Sequence, residues 1–422
     1  MNIGWIGCGR LGKAVCVTID YMGHTVYAYD KNPAVLNHDT VGAIENDPFG
    51  SGSLDAYLKR GTIVFSSMQE VVDKSDIIFV AVQTPHDDKF DGTKRLTRER
   101  ADFDYNYLIS AITELASCNY SKDKVVAIIS TVLPGTIRTH IKPLLNKNMK
   151  LVYNPYFITQ TTVAYDFLNP EFVLLGVDDK IAVDKVKEFY RSIHSKPVIE
   201  MSIESAELTK VAYNLFITMK INYANTIGQV CCSSGADINT VMGALKHANT
   251  RLVSGKYLDM GMPDSGGCHP RDALAMSHFV KNSCPDVYDL FEDAMKCREG
   301  YIDWLVSVIQ DEIPPSMDVM VLGKAFKPEC SVIAGSSSIL LYNCLVERFI
   351  CNVSIYDPYV HKFGFETVLD KPKCYVIGTK HACFKRYKFP QGSVVIDPHR
   401  YIPDIEGVKV IRLGENKDYN NM

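Results

Sequence analysis

The chain has 422 residues, 46% of them hydrophobic and 22% charged, with a formal net charge of -4. That length and apolar share support two or three domains with cores of their own and exclude a disordered chain. The charge, spread without long like-charge runs, leaves no electrostatic footprint for nucleic acid or an anionic membrane, and the longest apolar run, near "VVAIISTVL", is too short to span a bilayer.

Residues 1 to about 200 alternate apolar runs with helical patterns. The runs "NIGWIG", "HTVYAYD", "IIFVAVQ", "VVAIIS", "LVYNP" and "FVLLG" read as strands, several apolar on both faces as in a parallel sheet. The first run leads into "GWIGCGRLGKAV", which places Gly7, Gly9 and Gly12 in G-x-G-x-x-G spacing between a strand and a helix, with Arg10 and Leu11 inside the motif. In such a motif the first glycine allows a tight turn, the second lets backbone approach a pyrophosphate, and the third lets helix pack on strand, while free N–H groups at the helix start favour the anion. The second run ends at Asp30, whose carboxylate suits a ribose diol and repels a 2′-phosphate; the pattern predicts NAD rather than NADP, although Lys31 beside it pulls the other way.

From Ser202, an N-cap with Glu204 in the first turn, a long helix is predicted through Leu208, Val211, Leu215, Met219, Tyr223 and Ile227. After Pro314 and Pro315 the α/β rhythm returns in "DVMVLG", a helix from about Ser336, "NVSIYDP", "CYVIGT" and "SVVIDP". The expected α/β architecture is an N-terminal Rossmann NAD-binding domain (1–200), a central helical region with the long helix (201–312) and a C-terminal Rossmann-like α/β domain (313–422). Thirteen cysteines are an odd number in a large chain whose "MNIGWIGCG" starts a strand directly, and no CxxC or Cys/His cluster has zinc spacing; a reducing cytoplasm and no metal are expected.

Seven segments in order, "AVQTP", "STVLPGT", "NPYFITQTTVAYDFLNPEFVLLG", "AELTKVAYN", "SGGCHPRD", "GKAFKPE" and "YDP", resemble the nucleotide-sugar 6-dehydrogenase family of the UDP-glucose and UDP-mannosaminuronate type. The resemblance implies the same three-part architecture, a homodimer, and oxidation of a sugar C6 alcohol to a carboxylate with two NAD through a thioester on Cys268. It also implies that Thr84, Pro85 and Thr131 join the glycine turn around NAD, and that Phe157, Lys210, Asn214, Arg251, Tyr257, Gly266, Phe326 and Lys327 meet the nucleotide sugar. UDP-glucose leads as substrate because "C-x-P-R-D" resembles the hexose branch; a UDP-amino sugar or GDP-mannose, or a binding homologue with impaired catalysis, are the alternatives.

The residues make chemical sense of that reaction. Oxidising an aldehyde by hydride transfer needs a tetrahedral carbon bearing the hydride, which a thiolate supplies by addition; the adduct then loses hydride to give a thioester that water opens. Lys210 and Asn214, four apart on a helix, put an ammonium and an amide on one face for a developing oxyanion and a water. Asp272, four beyond Cys268, can orient Lys210 or move a proton, Thr131 can donate to the water or cap a turn, and His269 beside the sulfur either tunes it or meets solvent.

The chain departs from the family pattern at three places. Gln160 stands where the UDP-glucose branch has a glutamate thought to activate water, and an amide positions water without deprotonating it. After "GKAFKPE" the chain reads "CSVIAGSSS", with Ala334 in place of an arginine, and the serines at 336 to 338 are expected to cap a helix facing phosphate. One extra residue between Arg251 and "KYL" displaces Arg251 from its usual spacing.

Overall fold

A computed structural model describes residues 1–36, 63–348, 352–361, 364 and 369–416. The chain divides into two compact units, Met1–Pro85 with Phe103–Ala212, and His86–Asp102 with Tyr213–Met422.

In the first unit an eight-stranded sheet is built from β1 (Asn2–Ile6), β2 (Thr25–Tyr29), β3 (Val64–Phe65), β4 (Ile77–Val80), β5 (Lys124–Ile128), β6 (Met149–Tyr153), β7 (Val173–Val177) and β8 (Val198–Ser202), in the order 3-2-1-4-5-6-7-8. Neighbours are parallel except β6 and β7. Helices α1 (Arg10–Tyr21), α2 (Met68–Lys74), α3 (Asn106–Ser117), α4 (Val163–Leu168) and α5 (Lys180–Arg191) connect the strands. Both faces of β4 and β5 are buried, which is why their sequences are apolar throughout rather than alternating. Trp5, Phe79, Leu175 and Phe189 lie in one core, each fully buried, and burial of such side chains contributes about 1.5–3 kcal/mol apiece. The strand order reverses between β1 and β4, and in such a sheet ligands bind beyond the carboxyl ends of the strands at that point.

Helix α6 (Ile203–Ser234) follows β8 directly. Ser205 N–H donates to Ser202 Oγ at 3.2 Å, the N-cap that the sequence predicts. The second unit adds α7 (Ile238–His247), α8 (His269–Ser283), α9 (Leu290–Glu312), β9 (Val319–Leu322), α10 (Ser337–Arg348), β10 (Val353–Tyr356), β11 (Cys374–Ile377), β12 (Val394–Asp397) and β13 (Lys409–Arg412). Its five strands run parallel in the order 10-9-11-12-13, a second doubly wound sheet with its switch point between β9 and β11. Residues 86–102 belong to this unit: Arg100 Nε and Nη2 each donate to Glu292 at 2.9 Å, and Arg298 Nη2 donates to Gly92 O at 2.8 Å. The two doubly wound sheets, parallel but for the β6–β7 pair, and the long helix match the expected fold class. Strands β3, β8 and β13 stand in addition to the strands predicted.

Candidate active site

The glycine turn lies at the carboxyl end of β1. Gly7 has φ +98°, and a Cβ on it would lie 2.7 Å from Ala81 O, so only glycine fits there. A Cβ on Gly12 would stand 2.1 Å from Gly7 O, the close helix-to-turn packing expected of the third glycine. Around Gly9 nothing lies within 4 Å of where a Cβ would be, and Gly9 is the exposed N-cap of α1 with no side-chain cap. That leaves the first N–H groups of α1 open to a pyrophosphate, beside exposed Arg10 and half-buried Leu11. The turn therefore fits NAD. Asp30, at the end of β2, accepts from Cys8 N–H at 2.7 Å and Asn32 N–H at 2.8 Å, which fixes its carboxylate against the turn; a carboxylate offers about four acceptor positions, so capacity for a ribose hydroxyl remains. Lys31 is turned to Ser110 Oγ at 3.3 Å.

The carboxyl ends of β4 and β5 supply the next residues. Buried Thr84 donates from Oγ1 to Thr131 O at 2.7 Å, Pro85 O accepts from Asp104 N–H at 2.7 Å, and Ser130 Oγ donates to Val82 O at 2.6 Å. These bonds place Thr131 beside the switch point. On α6, Lys210 is buried with Nζ 5.0 Å from the Phe157 ring centroid, and Phe157 packs on Phe172 at 4.9 Å. Gln160 is exposed in the β6–α4 loop, next to Thr161 at φ +78°, a left-handed conformation that a β-branched residue adopts only under constraint. Asp166 supplies it, accepting from Thr159 N–H and Thr162 Oγ1 at 2.9 Å each.

Glu207 lies on α6 within the segment "AELTKVAYN", where nothing in the sequence signals its surroundings. Its side chain is fully buried and accepts from Gly135 N–H at 2.6 Å and Ile137 N–H at 2.8 Å. Burial pushes its carboxyl up to about 7 from the ordinary 4.5, against the lowering effect of the two N–H donors. A folded-state value above the unfolded one means that this group's stabilisation is present below about pH 4.5 and is lost as pH rises through about 7, a change of about 3 kcal/mol. Thermal melts of the wild type and Glu207→Gln should therefore converge or cross in the variant's favour between about pH 5 and pH 8; a constant difference in Tm would contradict the assignment.

In the second unit Cys268 is exposed as the N-cap residue of α8, where helix N–H groups favour an anion. Asp272, one turn on and fully buried, accepts from Asn214 Nδ2 at 2.6 Å and from Arg271 Nε and Nη2 at 3.1 Å each. With Nδ2 directed at Asp272, the Asn214 amide presents its oxygen as an acceptor. His269 Nδ1 lies 3.2 Å from Asn214 O, which can only accept, and 3.1 Å from Thr218 Oγ1. The two contacts tie the imidazole at the start of α8 to α6. Of these partners, sequence reasoning missed Arg271 and Thr218.

Gly266, at φ +92°, has room for no side chain, because a Cβ would lie 2.9 Å from the Phe326 ring. Phe326 and Lys327 sit in the turn after β9, at the second switch point, with Lys327 Nζ 5.6 Å from the Phe326 centroid. Asp357 holds that turn by accepting from Lys324 N–H at 2.7 Å, Ala325 N–H at 2.8 Å and His381 Nε2 at 3.0 Å. Tyr257, half exposed at φ +64°, and exposed Arg251 follow α7. The expected cap by serines 336 to 338 is corrected: Ser336 Oγ is buried with no hydrogen-bond partner, and Ser337 N–H donates instead to Ser265 Oγ at 3.0 Å.

A doubly wound sheet with a pyrophosphate-ready glycine turn at its switch point defines a dinucleotide-binding protein, here with a second doubly wound unit in the same chain. Residues 1–194 match the NAD binding domain of the UDP-glucose/GDP-mannose dehydrogenase family and residues 204–297 its central domain. The chain belongs to that family, and it is an NAD-dependent nucleotide-sugar dehydrogenase. It is 25% identical over 359 residues to the UDP-glucose 6-dehydrogenase of Rickettsia bellii, across 82% of this chain and 79% of the relative, and 25% identical over 371 residues to UDP-glucose 6-dehydrogenase YwqF of Bacillus subtilis, across 85% and 80%. The same fold occurs in a UDP-glucose dehydrogenase from Pyrobaculum islandicum (TM-score 0.84, 23% identity, 97% and 96% covered) and a UDP-D-ManNAc dehydrogenase from Pyrococcus horikoshii (0.81, 20%, 99% and 100%). Among the described residues no helix is long and apolar enough to cross a membrane, and no group of three or more His, Cys, Asp or Glu could hold a metal ion.

Proposed function

We propose that the chain oxidises the C6 hydroxyl of UDP-glucose to the carboxylate of UDP-glucuronate, through a thiohemiacetal and then a thioester on Cys268. The observation that carries this reading is an exposed cysteine at a helix N-cap, one turn ahead of a buried Asp272–Asn214 pair. NAD, when bound, supplies the hydride acceptor for both oxidations. The Cys268 thiolate adds to the C6 aldehyde, forming the C–S bond and an alkoxide; hydride loss then gives the thioester, and water breaks the C–S bond to release carboxylate, thiolate and two protons. Lys210 stabilises the C6 oxyanion, the Asn214 oxygen accepts from the attacking water, Asp272 orients Asn214 and takes part in proton transfer, and Thr131 donates to the cofactor or the water. The N-terminal sheet holds NAD, and the C-terminal turn with Phe326 and Lys327 holds the nucleotide, Gly266, Arg251 and Tyr257 completing the contacts. The thirteen cysteines, an odd number in a large chain, support a cytoplasmic location.

A second reading, a UDP-amino sugar as substrate, rests on Gln160, because an amide cannot take a proton from water. NAD mixed with a panel of nucleotide sugars separates the readings by NADH absorbance. With UDP-glucose we expect turnover and a pre-steady-state burst of NADH, since thioester hydrolysis without a carboxylate at 160 is slow, and Gln160→Glu should raise kcat and shrink the burst. A burst-free curve with an unimproved variant, or turnover confined to an amino sugar, would move the assignment to the second reading.

The long helix also supports a homodimer. Phe216, Tyr223 and Val230 recur at seven-residue steps on α6 and are 52%, 51% and 54% exposed, a stripe of apolar side chains suited to the same stripe on a second copy. Light scattering should give twice the chain mass for the wild type and the monomer for Phe216→Glu/Tyr223→Glu; a monomeric wild type would overturn the pairing.

A further inference from the structure

Glu207 presents a problem that its burial sharpens. A fully buried carboxylate is expensive unless a cation balances it, yet the neighbouring cation, Arg138, is already engaged by Glu204 at 2.8 Å and Asp178 at 2.6 Å. Glu207 is instead met by two backbone donors, Gly135 N–H on Oε2 and Ile137 N–H on Oε1. The two N–H groups meet different oxygens, an arrangement that a carboxyl group offers and that an amide, with one oxygen, or an apolar side chain does not.

Those N–H groups close the turn 130–137 that follows β5. Its first residues are tied to the end of β4 by Ser130 and Thr84, and its middle to the Tyr105 hydroxyl, which accepts from Leu133 N–H at 3.2 Å and Thr136 Oγ1 at 3.1 Å. Glu207 is the anchor that comes from α6, one turn before Lys210 and on the same helix face. We infer that Glu207 is a positioning residue: its carboxylate fixes the turn bearing Thr131 to the turn of α6 bearing Lys210, so that hydroxyl and ammonium act as one rigid set. The inference rests on the roles given above to Thr131 and Lys210.

The test uses the full chain with NAD and a nucleotide sugar that it turns over. Glu207→Gln keeps the shape but turns an amide N–H toward one of the two donors. It should lower kcat by about tenfold with KM for NAD changed less than about threefold, because misplacement of transition-state groups lowers kcat rather than ground-state binding. Backbone hydrogen exchange should rise in the peptide covering 130–141 and stay unchanged in β6. Glu207→Asp, one methylene short of spanning both donors, should behave alike. Wild-type kcat with unchanged exchange in 130–141, or faster exchange throughout the first unit, overturns the inference. Lys210→Ala, run in parallel, checks the underlying reading by itself: if it leaves kcat intact, Lys210 has no role for Glu207 to position.

Discussion

In Cys268→Ser, net uronate formation should fall by at least roughly 10³-fold while the nucleotide sugar still binds, because a hydroxyl is a far poorer nucleophile at neutral pH and the second oxidation needs a tetrahedral adduct. The sulfur is exposed at the helix N-cap and fills no core position, so its replacement leaves the packing of α8 intact. Calorimetry with the nucleotide sugar and NADH production on the same sample read both halves. Near-normal turnover would reduce Cys268 to an ordinary surface thiol.

Asp272→Asn should reduce kcat by about 10²-fold with nucleotide-sugar affinity nearly unchanged. The carboxylate accepts from Asn214 on one oxygen and from Arg271 on the other, fully out of contact with water. An amide at 272 can serve only one of them as acceptor: either Asn214 loses its orienting partner and turns its NH₂ toward the reacting atoms, or Arg271 is left without its anion. The test compares single-turnover rates of the two NADH-forming phases in variant and wild type. A variant with both phases at wild-type rate would leave Asp272 as a structural brace.

How much of this was legible in the chain depended on the range of the interactions. The glycine turn was readable because its requirements are local: a positive φ at Gly7, open space at Gly9 and contact with Gly7 O at Gly12 all lie within six residues. The strands apolar on both faces were readable for the same reason, since burial on both sides leaves a continuous apolar run. β8 was not, because none of its residues is buried and no apolar run marks it, and β3 is only two residues long. The antiparallel pairing of β6 with β7 is a matter of strand partners, which no run of residues announces.

The cap of α10 was misplaced because the oxygen that accepts from Ser337 N–H belongs to Ser265, 72 positions earlier. Arg100 finds Glu292 at a separation of 192, and Glu207 finds Ile137 at 70. A carboxylate within a helix reads as a solvated residue until the fold shows which donors face it. Residue types thus mark which side chains can do chemistry, while partners distant in sequence decide which are held in place to do it.

The most direct measurement is the ratio of NADH formed to UDP-glucose consumed under limiting sugar, with the product identified by mass. Four-electron oxidation through a Cys268 thioester predicts two NADH per sugar and UDP-glucuronate as the sole product, with a transient adduct on the Cys268 peptide in acid-quenched samples. One NADH per sugar with aldehyde accumulating, or two with no adduct in a burst-phase quench and an active Cys268→Ser enzyme, would contradict it.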